Sequence, residues 1–241
     1  VVVGASLAGF RAAEALRAQG FDGSLTLVGD ETHAPYDRPP LSKQVLTGEW
    51  DVDRTTLPSA APADDGGEPF DWRLGTRAVG LDLAAREVAL EGGDRLDFDG
   101  LIIATGCRPR TIGGEDLAGV HVLRTLDDAV ALRAELDAGP DRVVVIGAGF
   151  IGSEVAASCR ARGLAVTIVE ALPVPLERVL GADMGAMVAD LHRDHEVELR
   201  LGVGVDGFTS SDGGDGGTAR VTGVRLADGT TIPADVVVVG V

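Results

Sequence analysis

Apolar and polar positions along this chain follow one plan, and the plan is written twice. Val1-Val2-Val3 is an unbroken apolar run ending at Gly4, the pattern of a strand covered on both faces. An alanine-rich helix is predicted over Leu7–Ala18, and Leu25-Thr26-Leu27-Val28 reads as a second strand that stops at Gly29-Asp30-Glu31, completing a β-α-β unit. The proline-rich stretch Pro35–Pro40 leads into a short predicted helix, Leu41–Leu46. Pro58–Pro69, rich in Ala, Asp, Gly and Pro, reads as a solvated loop. Trp72–Phe98 alternates short strands with turns, as an antiparallel meander does, and Leu101–Gly106 reads as a buried strand ending on glycine.

The second half repeats this order. Thr111–Gly119 is polar and glycine-bearing, and Thr125–Asp137 is a connecting helix stopped by Gly139-Pro140. A strand over Arg142–Ile146, a glycine turn, a helix over Ile151–Arg162 and a strand over Ala165–Val169 ending at Glu170 form another β-α-β unit. Glu196–Val205, Ala219–Leu226 and Thr231-Ile232 read as a second meander, interrupted by a loop over Ser210–Gly217. Val236–Val239 followed by Gly240 then mirrors Leu101–Gly106. The pattern predicts an α/β chain of two Rossmann-like ββα-type dinucleotide-binding domains, with parallel sheets and small antiparallel meanders, divided into residues 1–112 and 113–241.

Composition narrows the function. The 241 residues, 45% of them hydrophobic, suffice for two ordinary domains, and the net charge of -17 opposes binding to a phosphate backbone, so no nucleic-acid partner is expected. No apolar run approaches the roughly twenty residues of a membrane helix, and a cytoplasmic protein is expected. The chain starts inside a strand without a methionine, which reads as a fragment. Cys107 and Cys159 have neither metal-ligand nor dithiol spacing, and the close pair His192 and His195 has no further metal-ligating support, so ordinary thiols and no metal are expected.

The chemistry concentrates at the two glycine turns, about 140 residues apart. Gly147-Ala148-Gly149-Phe150-Ile151-Gly152 carries all three glycines of a dinucleotide cradle: the first for the sharp turn, the second for backbone approach to a pyrophosphate, the third for helix packing on the strand. Helix-start N–H groups then face the phosphates. Glu170 stands about twenty residues on, where an acid accepts from a ribose 2′-hydroxyl and repels a 2′-phosphate, favouring NADH. The first turn, Gly4-Ala5-Ser6-Leu7-Ala8-Gly9, has Ser6 in place of the second glycine, with Asp30 or Glu31 as its ribose acid. Lys43 is the one lysine among 21 basic residues and falls in the rigid segment Arg38-Pro39-Pro40-Leu41-Ser42-Lys43. A compact ammonium can pair with an acid or donate to a ring nitrogen where a guanidinium does not fit. Glu154, two residues past the last glycine, is read either as a first-turn acid favoured by the helix dipole or as the partner of Lys43 at the nicotinamide end.

The first turn with Arg11–Arg17, Val28-Gly29-Asp30-Glu31, and above all Tyr36-Asp37-Arg38-Pro39-Pro40-Leu41-Ser42-Lys43, resembles the flavin-dependent NADH:ferredoxin reductases of bacterial oxygenase systems, within the pyridine nucleotide-disulfide oxidoreductase superfamily. Ala104-Thr105-Gly106 and Arg108-Pro109-Arg110 match the family segment that returns to FAD. The resemblance implies FAD held by Gly4 through Gly9 with Asp30, touched by Arg38, Lys43, Arg108, Ala78 and Val79, and an incomplete FAD domain whose return segment is missing. It implies NADH held by Gly147, Gly149, Phe150, Ile151, Gly152 and Glu170, with Gly240 closing that cradle. Lys43, paired with Glu154, would lie near the flavin N5, and electrons would pass to a [2Fe-2S] ferredoxin. The alternatives are an NADH oxidase or an NAD(H)-responsive regulatory flavoprotein related to apoptosis-inducing factor. Disulfide reductases of this plan carry a cysteine pair where this chain has Pro39-Pro40-Leu41-Ser42, so dithiol chemistry is not expected.

Overall fold

A computed structural model describes residues 1–58, 69–114, 116–211 and 218–241. Most of the loop expected at Pro58–Pro69, the 212–217 part of the loop expected at Ser210–Gly217, and Glu115 lie outside the described residues. The elements run β1 (Val2–Val3), α1 (Leu7–Ala18), β2 (Thr26–Val28), α2 (Gln44–Thr47), β3 (Asp71–Arg73), β4 (Ala78–Asp82), β5 (Glu87–Leu90), β6 (Arg95–Asp97) and β7 (Ile102–Ile103). They continue with β8 (Val120–Val122), α3 (Leu126–Asp137), β9 (Arg142–Ile146), α4 (Phe150–Ala161), β10 (Ala165–Glu170), α5 (Glu177–Asp194), β11 (Glu198–Leu201), β12 (Val205–Ser210), β13 (Val221–Leu226), β14 (Thr231–Pro233) and β15 (Val236–Val239). Two compact units result: Val1–Asp37 with Asp53–Cys107, and Arg38–Val52 with Arg108–Val241.

The first unit is built on a parallel sheet in the order β3-β2-β1-β7, with Val2 opposite both Leu27 and Ile102. Phe10 and Ala13 of α1 pack on one face with Val2, Leu25, Leu27 and Phe70. Burying a side chain such as Leu27 contributes about 1.5–3 kcal/mol. On the other face, Val3 and Val28 meet Val88 and Leu90 of the antiparallel sheet β4-β5-β6. Alternate burial along β5 matches a strand with one covered face.

The second unit repeats the plan with one more strand, in the order β11-β10-β9-β15-β8, all parallel. The valines of β15 are buried throughout, as central-strand positions are. The antiparallel sheet β12-β13-β14 adds Val221, Val224 and Leu226 to the cluster around Val144, Val237 and Val239. Helix α3 opens with a reciprocal capping box between Thr125 and Asp128. Helix α2 packs against α3 and α4, which draws residues 38–52 into this unit.

Five elements depart from the sequence expectation. The two stretches read as meander, around Trp72 and around Leu199, contribute β3 and β11 to the parallel sheets instead. Strand β8 was not expected: its sequence, Val-His-Val, is too short to show a period, and its strand character comes from pairing with β15. The expected helix Leu41–Leu46 is divided into a 3-10 turn over Pro39–Ser42 and α2, because Lys43, at φ -119° and ψ -102°, leaves helical geometry between them. Helix α5 is not among the elements predicted from the sequence, and it contains a break at Gly181, where φ is 80°.

Candidate functional site

In the first unit, β1 delivers the chain into Gly4 at φ 113°, a conformation that favours glycine. A Cβ at Gly4 would sit 2.0 Å from the Ala104 carbonyl oxygen, and one at Gly9 would sit 1.8 Å from the Gly4 oxygen. These two glycines serve close packing of the turn against the end of β7 and against its own helix. The N-cap residue of α1, Ser6, makes no side-chain cap hydrogen bond to the helix, whose first N–H groups form an end that suits an anionic group. Leu7 and Ala8 are exposed at that helix start, Ala5 is buried and Ser6 half-buried. At the end of β2, Asp30 faces Arg77 at 3.6 Å, and Glu31 accepts from the Tyr36 hydroxyl. Val79 on β4 and the Thr105-Gly106 end of β7 are exposed, with Ala78 half-buried.

The second unit contains the same turn with sharper contrasts among its glycines. Gly147, at φ 96°, would place a Cβ 2.6 Å from the Gly240 oxygen, and Gly152 would place one 1.9 Å from the Gly147 oxygen. Gly149 differs: its φ of -74° suits any residue, and a Cβ there would meet a single atom at 3.9 Å. The chain's own packing therefore does not require glycine at 149. The space beside its backbone is what a pyrophosphate needs, and no side chain caps α4 above it. Phe150 and Ile151 are exposed at the helix start. Glu170, the last residue of β10, accepts from the Ala148 N–H at 2.7 Å and the Leu172 N–H at 2.9 Å, which fixes its carboxylate beside the turn.

Lys43 and Glu154 are joined in this unit by an ion pair of 2.7 Å. Helix α4 begins at Phe150, so Glu154 lies on its second turn; the expectation of a first-turn acid is corrected. The dipole's effect falls off within the first turn, which leaves the ion pair as the stronger reason for a carboxylate here. Both side chains remain partly exposed, at 41% and 29%. Such a pair contributes at most about 1 kcal/mol to stability, so what it secures is position. The same Glu154 Oε2 accepts from Ser42 Oγ at 2.6 Å, and Lys43 Nζ also donates to the Pro39 carbonyl at 3.1 Å. Arg38 donates to the Arg124 carbonyl at 2.7 Å, and Arg108 is exposed. Ser42 and Ser158 were not singled out in the sequence, and no local signal marks their contact, which spans 116 positions of chain.

Cys107 is exposed, whereas burial pushes the Cys159 thiol up to about 12, keeping it protonated and unreactive. His192 is buried on α5 and burial holds its pKa below the ordinary histidine range. Among the described residues no helix is long and apolar enough to cross a membrane.

Comparison with known proteins extends this geometry. The family profile described as pyridine nucleotide-disulphide oxidoreductase matches residues 1–241. The chain is 42% identical over 243 residues to rhodocoxin reductase of Rhodococcus erythropolis, covering 100% of this chain and 55% of the relative. It is 44% identical over 243 residues to the biphenyl dioxygenase system ferredoxin–NAD(+) reductase component of Paraburkholderia xenovorans, covering 100% of this chain and 57% of that protein. Among solved structures, the covalent putidaredoxin reductase–putidaredoxin complex matches with a TM-score of 0.90 at 36% identity, over 99% of this chain and 57% of that one. The chain thus spans about half the length of the curated relatives it matches.

Proposed function

The chain belongs to the pyridine nucleotide-disulphide oxidoreductase family, and we propose that it carries the FAD and NADH cradles of an NADH:ferredoxin reductase serving an oxygenase system. The observation that carries this reading is the Lys43–Glu154 ion pair, built onto the helix that the second glycine turn opens. Support comes from the relatives, one named as the ferredoxin–NAD(+) reductase component of a dioxygenase system and one as rhodocoxin reductase.

On this reading the FAD-binding part comprises residues 1–112 and the NAD-binding part residues 113–241. Gly4, Ala5, Ser6, Leu7, Ala8 and Gly9 would hold the FAD pyrophosphate, with Asp30 and Glu31 available to the ribose. Ala78, Val79, Ala104, Thr105, Gly106, Arg38 and Arg108 would contact the rest of the cofactor. The close-packed Gly4 and Gly9 and the uncapped α1 fit such a group. When bound, FAD supplies the chemistry of accepting a hydride and releasing electrons singly. Gly147, Gly149, Phe150, Ile151, Gly152 and Gly240 would receive NADH, and Glu170 would accept from its ribose while repelling a 2′-phosphate. Lys43 would present a positive charge where negative charge develops on hydride transfer, and Glu154 holds that ammonium in place. Electrons would leave to a [2Fe-2S] ferredoxin, and NADH as donor fits a cytoplasmic site of action.

The test uses the full-length, FAD-loaded protein under anaerobic conditions. Lys43→Met should slow flavin reduction by NADH about 10-fold or more, the range of one preorganised electrostatic contact, while NADH affinity stays within about 3-fold. Unchanged flavin reduction would remove Lys43 from its assigned place.

A further inference from the structure

Along α4 and its C-terminal cap, Glu154, Ser158 and Arg162 recur at every fourth residue and so stand on one helix face. Each holds the segment that carries Lys43. Glu154 Oε2 accepts from Ser42 Oγ and Lys43 Nζ, Ser158 Oγ donates to the Ser42 carbonyl at 2.6 Å, and Arg162 Nη1 donates to the Leu46 carbonyl at 2.9 Å. From α3, Arg133 donates to the Trp50 carbonyl at 3.1 Å. Ser42 and Ser158 are 2% and 5% exposed.

Buried hydroxyls satisfy buried carbonyls in many folds, and that alone assigns no role. Here the arrangement is more selective. Lys43 ends in a flexible four-carbon stem, and a half-exposed ammonium on such a stem samples several rotamers unless its partner is fixed. Its partner carboxylate is fixed by Ser42, the residue adjacent to Lys43 in the chain. Ser42 is fixed in turn by Ser158, one turn along the helix from Glu154. Backbone, carboxylate and ammonium are closed into one loop of hydrogen bonds, so neither charge can shift without breaking a contact of the other.

We infer that Ser42 and Ser158 are positioning residues for Lys43: the Ser158 hydroxyl anchors the Ser42 carbonyl, the Ser42 hydroxyl orients Glu154, and Glu154 holds the ammonium against the helix of the second cradle. This rests on the hydride-transfer reading above for its functional consequence, though not for the clamp itself. Removing either hydroxyl loosens Lys43, which keeps its contacts with Glu154 and the Pro39 carbonyl but loses the fixed carboxylate, and a loosened ammonium stabilises developing charge only in the fraction of time that it points correctly.

Lys43 is the only lysine of this chain, which allows a direct test. The full-length protein, with and without FAD, is treated briefly with acetic anhydride, and acylation of Lys43 is followed by peptide-resolved mass spectrometry. Ser42→Ala and Ser158→Ala should each raise the Lys43 acylation rate about 5- to 10-fold, the scale of losing one hydrogen bond. Flavin reduction should slow by a similar factor with NADH affinity unchanged, and Ser158→Thr, which keeps the hydroxyl, should restore both. Wild-type acylation rates in folded Ser42→Ala and Ser158→Ala proteins would overturn the clamp. So would a slowing that Ser158→Thr does not reverse. If Lys43→Met left flavin reduction intact, the proposed function would fail, and the acylation rates would still decide whether the two serines hold the lysine.

Discussion

Three glycines of the second turn answer to different forces, and replacing each by alanine should separate them. Gly152→Ala would place a methyl 1.9 Å from the Gly147 carbonyl oxygen, more than 1 Å inside the closest approach that real Cβ atoms show. Relief requires the helix to move off the strand, at about 1–3 kcal/mol or more for overpacking. Gly147→Ala would meet the Gly240 oxygen at 2.6 Å and must also hold φ at 96°, which costs a further 1–2 kcal/mol or so. Gly149→Ala meets one atom at 3.9 Å with an ordinary φ, so its cost is limited to that of alanine at a helix N-cap, about 1 kcal/mol or less. A bound pyrophosphate, however, would occupy the space that the new methyl takes. Urea denaturation should therefore show Gly149→Ala near wild type and Gly147→Ala and Gly152→Ala clearly weakened. Calorimetric titration with NADH should show Gly149→Ala binding about 10- to 100-fold more weakly, the equivalent of roughly 1.4–2.7 kcal/mol. Wild-type NADH affinity in Gly149→Ala would refute the cradle, and destabilisation equal to that of Gly152→Ala would refute the packing argument.

Glu170→Ala should weaken NADH by about 10-fold, within the range of a hydrogen bond to a charged group, and narrow the preference over NADPH; unaltered selectivity in paired titrations would contradict the coenzyme assignment. Stability should also depend on pH through two histidines. Burial is the main cause holding both His121 and His192 below the ordinary value of 6.5, so the neutral rings contribute stability that is fully present above about 6.5 and is lost as pH falls through their folded values. Urea midpoints of His121→Gln,His192→Gln should fall less steeply with acidification than those of wild type, and parallel curves would count against this. A third expectation concerns the exposed thiol: a mild alkylating reagent should label Cys107 quickly and Cys159 only on unfolding, as peptide mass spectrometry would record.

The sequence carried the central strands and both turns because each is signalled locally: Val143–Ile146 of β9 and the whole of β15 are unbroken apolar runs, and Gly147 to Gly152 is a spaced motif. Edge elements were less visible. Strand β8 gains its identity from its neighbour β15 rather than from its three residues, and β3 and β11 look like meander until the sheet that recruits them is known. Lys43 stood out by scarcity and Glu154 by its distance from the turn, yet neither feature reveals which oxygen the ammonium meets. Ser42 and Ser158 were invisible because serine is common and their contact spans 116 positions of chain. Only the packing of residues 38–52 against α4 brings them together.

The most direct test of the central claim is a single anaerobic mixing of the full-length, FAD-loaded protein with NADH, and separately with NADPH, followed by addition of a [2Fe-2S] ferredoxin. NADH should bleach the flavin absorbance rapidly, NADPH far more slowly, and the ferredoxin should restore it as its own cluster becomes reduced. A flavin that NADH leaves oxidised, or a reduced flavin that the ferredoxin does not reoxidise, would contradict the assignment.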